Sequence, residues 1–261
     1  SSTRSPAAPK LRARSATFAD HYSQARLFYR SQAAIQQAHI ASAFVFELSK
    51  VETPHVRRAI VAHLRHVDED LARRVGDGLG FGELPEAPPA AAAVIDLDAS
   101  PALDVTARWP ETLDGRAVAI LVDDGSDRRT VEALRDAAVA EGAQVKVIAP
   151  RIGGIEWADG SKSDVDAHLP GTPSIFFDAV AIIVSKEAGE RLCTEGAAVD
   201  FVRDAYGHLK AIAHDAGGQA LLERAHAAAD DGIVEASDIA AFLAAAKKRQ
   251  WAREPKVRSL A

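Results

Sequence analysis

The chain has 261 residues, 48% hydrophobic and 26% charged, with a formal net charge of −6 at pH 7 and a single cysteine, Cys193. That balance can bury a sizeable core, while an acidic chain without a basic stripe argues against nucleic acid or a membrane surface as its partner. No apolar run approaches the roughly 20 residues of a spanning helix, and one cysteine rules out an internal disulfide, which points to a reducing, cytoplasmic setting.

Residues 1–16 read as an extended or disordered stretch. Ser1 to Lys10 has no apolar core of the kind a secretory signal carries. Methionine is absent even at position 1, so the chain reads as cut from a longer one.

Residues 17–82 read as all helix. Ile40, Phe44, Leu48 and Val51 recur at helical spacing. Thr53 followed by Pro54 is a helix start, a hydroxyl N-cap before proline at the first helical position. Val56, Ile60, Leu64, Val67, Leu71 and Val75 then form one apolar stripe, closed by Gly76, Gly78 and Gly80. So few helices enclose little core, and their apolar faces are expected to pack on something else.

Residues 83–114 read as a linker. Pro85, Pro88, Pro89, the alanine run 90–93, Pro101 and Pro110 leave little that could pack.

Residues 115–261 alternate strand and helix. The apolar runs 118–122, 145–149, 179–184 and 211–213 have the pattern of strands buried on both faces. Helices are expected near 131–138, 200–206, 219–227 and 237–248, and a hairpin-like excursion over 153–166. The sum is an α/β fold, an open parallel sheet flanked by helices, preceded by an all-helical segment. The basic residues Lys247, Lys248, Arg249, Arg253, Lys256 and Arg258 read as a solvated tail.

Small constellations carry little chemistry. His63 and His66, with His55 and Asp68 nearby, lie on helical sequence with no second element to complete a metal set, and read as surface histidines. Gly153-Gly154 and Asp124-Gly125 are turns and not a dinucleotide fingerprint. Cys193 reads as a small, half-buried apolar residue.

The stretches FADHYSQARLF (18–28), AHIASAFVFELSKV (38–51) and RRAIVAHLRHVDEDLARRVGDGLGF (57–81) resemble, in order, the helical region that follows the β-barrel in monofunctional haem catalases. The α/β unit downstream is what the large-subunit class of that family adds. The resemblance implies a parent that converts hydrogen peroxide to water and oxygen at haem, as a homotetramer. The family's distal histidine and asparagine and its proximal tyrosinate lie upstream of the matched region. The chain itself is therefore expected to hold no cofactor and no metal. Tyr29, in the run RLFY, faintly resembles the proximal motif at the wrong spacing, and reads as an aromatic anchor.

Residues 116 to about 250 resemble the class I glutamine-amidotransferase-like, or flavodoxin-like, superfamily. The resemblance rests on RAVAILVDDGSD (116–127), FDAVAIIV (177–184) and KAIAHDAGGQALL (210–222). It implies a strand, a sharp turn and a helix, with a cysteine nucleophile at the position of Ala216 and a histidine at that of Gly217. The acidic residue facing the thiol would be Asp127. The elbow Asp215-Ala216-Gly217 is thus expected to be degenerate, which removes an independent thiol hydrolase or deglycase. His214 reads as a strand-end residue held by hydrogen bonds. The implied role is a non-catalytic accessory, stabilising domain, in contact with the remaining catalase core and other subunits. The alternative is a stand-alone holdase acting on unfolded clients.

Overall fold

The computed structural model describes residues 13–261. Most of the extended stretch expected over 1–16 lies outside the described residues. The chain divides into two compact units, the first running to Trp109 and including Leu260 and Ala261, the second Pro110–Ser259.

Among the described residues, the first unit holds four α-helices: α1 (Ser23–Arg30), α2 (Ala34–Ser49), α3 (Pro54–Val67) and α4 (Glu69–Gly78). The stripe expected to be one helix is two. Asp68 breaks it, with extended backbone at φ −162° and ψ 135°. Its Oδ1 accepts from the backbone N–H of Asp70 at 2.9 Å and of Leu71 at 3.4 Å, so an aspartate satisfies the orphan donors of a new helix. Its Oδ2 takes Arg30 Nε at 3.1 Å. Thr53 stands at the N-cap of α3, but its hydroxyl makes no cap hydrogen bond. Pro54 still sets the first turn. Gly76 and Gly78 lie inside α4 and not beyond it. A Cβ at Gly78 would meet Val45 Cγ2 at 2.5 Å, so glycine there lets α4 approach α2 closely.

These helices bury a small core of their own, formed by Tyr22, Tyr29, Leu48, Val61, Leu64, Leu71 and Val75 among others. The stretch from Gly82 to Trp109, although almost free of helix and strand, runs along this unit. Ile95 N donates to Ser23 Oγ at 2.8 Å, Ser100 N to Ser31 Oγ at 2.9 Å and Gln32 Nε2 to Leu103 O at 2.8 Å. Leu84, Ala90 and Val94 pack on the helical core, more than the alanine- and proline-rich sequence led us to expect.

The second unit is built on a six-stranded, fully parallel sheet. Its strands are β1 (Ala117–Leu121), β2 (Gln144–Ala149), β5 (Ala167–His168), β6 (Ala179–Ile182), β7 (Ala211–His214) and β8 (Ile233–Glu235), in the order β5-β2-β1-β6-β7-β8. Between β2 and β5, the segment Gly153 to Asp166 forms the expected hairpin from β3 (Ile155–Glu156) and β4 (Lys162–Ser163). It is less polar in practice than in sequence: Ile155, Trp157 and Val165 are buried, and Trp157 Nε1 donates to Ser163 Oγ at 2.8 Å.

Helices cover both faces. Along β1 and just past it, Val118, Ile120 and Val122 face one core, shared with α5 (Arg128–Ala140) and α9 (Ile239–Ala246). Ala119 and Leu121 face the other, shared with α6 (Lys186–Leu192), α7 (Gly196–Gly207) and α8 (Gly218–Arg224). A strand sandwiched this way has no polar face, hence its continuous apolar run. The edge strands β5 and β8 went unread because they are two and three residues long and half exposed.

The basic C-terminus is not a free tail. It folds into a single helical turn at Trp251–Arg253 and a short helix, α10 (Glu254–Val257). Arg253 is wholly buried because Asp230 neutralises it and the backbone carbonyls of Tyr206 and Lys210 accept from its Nη1.

Candidate functional site

Strand β7 ends at His214 and the chain turns through 215–217 into α8. Asp215 Oδ1 accepts from Gly218 N at 2.8 Å, which fixes the turn. Burial pushes the Asp215 carboxyl above its usual range, opposed by the backbone N–H groups of Gly218, Val184 and Gly217 and by the charge of His214. Ala216 projects to solvent and carries no reactive atom.

Gly217 has no room for a side chain. Its φ of −73° is ordinary, so the demand is for space and not for conformation. A Cβ there would overlap the carbonyl oxygen of Val184 and meet that of Ser185 at 2.6 Å. Gly189 of α6 presses on the same turn, where a Cβ would overlap the carbonyl oxygen of Gly217. The histidine that the amidotransferase resemblance places at 217 cannot be seated in this packing.

His214 is buried, and its Nδ1 lies 3.0 Å from the Asp215 carbonyl oxygen. Asp127 is the N-cap of α5; its Oδ1 accepts from Arg129 N at 3.1 Å and its Oδ2 from Thr130 Oγ1 at 2.7 Å. That carboxylate is therefore committed to a helix terminus. Cys193 is the C-cap of α6, half buried against the core beneath α7. The elbow thus brings together Asp215, Ala216 and Gly217, without a nucleophile.

In the first unit, Tyr22 links the histidines. Its hydroxyl lies 2.7 Å from His63 Nδ1 and its ring stacks on His66 with centroids 4.5 Å apart. His66 Nε2 in turn sits 2.6 Å from Pro88 O. Among the described residues no group of three or more His, Cys, Asp or Glu is arranged to hold a metal ion. Nor is any helix among them long and apolar enough to cross a membrane.

Tyr29 does not fit an axial haem ligand. It is buried in the helical core with its hydroxyl enclosed and unpaired, so an iron has no approach to it. Burial also raises its pKa, the reverse of what an iron-bound tyrosinate requires.

One feature the sequence reading passed over lies at the C-terminal ends of β1 and β2. Asp123 is buried and pairs with Arg191 (Oδ2 to Nη2, 3.0 Å), and Asp124 pairs with Arg151 (Oδ2 to Nη2, 2.7 Å). The available signal was positional. Two acidic residues directly follow the first strand of a parallel sheet, the edge at which such sheets hold ligands. Backbone donation from Glu156 N, followed by the charges of Arg151 and Arg191, outweighs burial and holds the Asp124 carboxyl below the usual range.

Comparison with known proteins agrees with this architecture. A family model described as the C-terminal domain found in long catalases matches residues 114–249. A second, described as catalase-related immune-responsive, matches residues 15–79. Catalase C of Rhizobium meliloti (strain 1021) is 46% identical over 259 residues, covering 96% of this chain and 36% of the relative. Catalase HPII of Mycobacterium avium is 36% identical over 87% of this chain and 31% of its own length. Catalase-1 of Neurospora crassa is 37% identical over 78% of this chain and 27% of its own length. The chain spans about a third of the length of the curated relatives it matches.

Proposed function

This chain belongs to the long catalases, matching their C-terminal portion, and from that premise we propose that it is a non-catalytic, stabilising region of an enzyme that converts hydrogen peroxide to water and oxygen at haem. The observation that carries this reading is the elbow. Its nucleophile position is Ala216, and the adjacent Gly217 is walled in by the Val184 and Ser185 carbonyls. Thiol chemistry has neither a sulfur nor space for the partner imidazole. The helical unit adds no haem ligand at Tyr29. What remains is packing surface, offered to the rest of the catalase subunit and to other subunits of a homotetramer.

The test uses two preparations. The 261-residue chain, supplied with haem, is assayed for peroxide decomposition, and no turnover above free haem is expected. The full-length enzyme is then compared with a version ending before residue 110. The rate per haem is expected to hold, while heat inactivation accelerates. Turnover by the isolated chain, or loss of the rate per haem at unchanged stability, overturns the reading.

A second reading, holdase activity of the α/β unit, is favoured by the adjacent side chains of Ile175 and Phe176, which are 57% and 66% exposed. Light scattering from a heat-labile client, with and without the chain, tests it. Suppressed aggregation that is lost in Phe176→Ser supports the reading, and unchanged aggregation removes it.

A further inference from the structure

Above the C-terminal ends of β1, β2 and β5 lies a crevice of about 530 Å³. That volume is within the range of small-molecule sites, roughly 300–1,000 Å³. The place is the expected one for an open parallel sheet, beside the strand from which the order reverses. Here that strand is β1, flanked by β2 on one side and β6 on the other.

The side chains give the crevice a chemical character. Pro150, Leu169, Pro170 and Leu192 supply apolar wall. Arg151 and Arg191 supply two guanidinium groups, each held by one nitrogen on an aspartate. A guanidinium has five N–H donors, so each has donors to spare. The side chains are 69% and 55% exposed, which keeps those donors accessible. The aspartates act as posts. Asp123 Oδ1 accepts from Asp124 N at 2.9 Å, and Asp124 Oδ1 accepts from Glu156 N at 2.9 Å. Ala197, in the first turn of α7, also lines the crevice, and that turn has no side-chain cap and no acidic residue.

We propose that this crevice binds a small organic phosphate. The phosphoryl group lies between the guanidinium groups of Arg151 and Arg191 and the first turn of α7, and the organic body rests on the proline and leucine wall. Three phosphoryl oxygens match three donor groups, whereas a carboxylate has two oxygens. Asp123 and Asp124 offset the two guanidinium charges and Glu195 at the rim adds a further negative charge, so the site holds a phosphoryl group through the spare N–H donors and the α7 turn and not through net charge, and its affinity is modest.

The experiment is an amide-resolved NMR titration of the whole chain with phenyl phosphate, inorganic phosphate and benzoate at constant ionic strength. Phenyl phosphate is expected to give saturable shifts at the amides of Asp124, Gly196 and Ala197. Inorganic phosphate is expected to bind the same residues about tenfold more weakly, for want of the apolar contact. Arg151→Ala breaks an exposed pair and leaves the fold standing, and is expected to weaken phenyl phosphate by about tenfold. Glu195→Gln is expected to tighten it severalfold. Non-saturating shifts, an unchanged response in Arg151→Ala, or benzoate binding as tightly as phenyl phosphate each overturn the proposal. Inorganic phosphate binding as tightly as phenyl phosphate removes the organic body from it.

Discussion

Arg253 grips Asp230 with both arms of its guanidinium, Nε to Oδ2 at 2.7 Å and Nη2 to Oδ1 at 2.8 Å. The arginine side chain has no exposed surface, lies 4.4 Å from the Tyr206 ring centroid and donates Nη1 to Lys210 O at 2.8 Å. This pair ties the C-terminal turn into the α/β unit. Arg253→Ala leaves the Asp230 carboxylate with only the Gly232 N–H and the charge of Lys256, and a loss of about 3 kcal/mol is expected in denaturant unfolding. Replacing both partners with apolar residues, as in Asp230→Leu with Arg253→Met, is expected to recover much of it. Burial alone would raise the Asp230 carboxyl, but hydrogen bonds from Arg253 and Gly232 and the charges of Arg253 and Lys256 bring it below its usual range. A depressed folded pKa means the stabilisation is complete above the unfolded value of about 3.9. It is lost as pH falls through the folded value, so the penalty of Arg253→Ala is expected to shrink in acid.

Gly217 and Gly189 interlock two backbones. Neither φ requires glycine, but a Cβ at either position would run into a carbonyl oxygen that cannot rotate away. Gly217→Ala and Gly189→Ala are each expected to cost about 3 kcal/mol or more, the severe end of overpacking. Gly153→Ala, where a Cβ meets nothing within 4 Å, serves as the control. Thermal unfolding of the three variants checks this.

Asp215 is expected to set a pH dependence of opposite sign to Asp230. Burial raises its folded pKa above the ordinary carboxylate range. The folded state therefore holds its proton longer than the unfolded one, and stability falls as pH rises from the unfolded to the folded pKa. Asp215→Asn keeps an oxygen for the Gly218 N–H and removes the charge. Its melting temperature relative to wild type is expected to climb across that window and level off at neutrality.

Lys210 is buried, with Nζ donating to Ser174 O at 2.6 Å, and burial lowers its pKa to about 8. The unfolded chain binds that proton up to about 10.4. Stability is therefore expected to rise with pH between those values, where the unfolded state carries more protons. The Lys210 ε-carbon shift is expected to titrate near the lower value, and Lys210→Met to abolish the rise.

Asp68 separates α3 from α4 by capping the second. Asp68→Ala is expected to cost about 1 kcal/mol for the cap and to free Arg30 Nε from its Asp68 partner. Circular dichroism with urea unfolding reads the loss. Asp68→Asn, which can still cap, is expected to retain most of the wild-type stability.

The sequence was most legible where burial was symmetrical. Runs such as Val118–Val122 and Ala179–Val184 have no polar face, and only a strand covered on both sides has use for that pattern. The break at Asp68 was not legible because helical periodicity survives a single capping residue. The apolar stripe from Val56 to Val75 keeps its phase across the break. The crevice above β1 and β2 was not legible for another reason. Asp123-Asp124, Arg151 and Arg191 are far apart in sequence, and each alone reads as a solvated charge.

What the sequence determined by itself was the order of the four central strands, the family, and the absence of a sulfur at position 216, since these depend on local pattern and residue identity. The fate of individual charges was decided by the tertiary structure alone. Arg253 reads as one more cation in a basic tail, yet it is buried, because Asp230 lies 23 residues away in sequence but in contact in space. Glycine at 217 is likewise demanded by a neighbouring strand end, Val184–Ser185, and not by its own turn. Pairing and exclusion across the fold have no local signature, since their free energy belongs to two distant segments and exists only once both are packed.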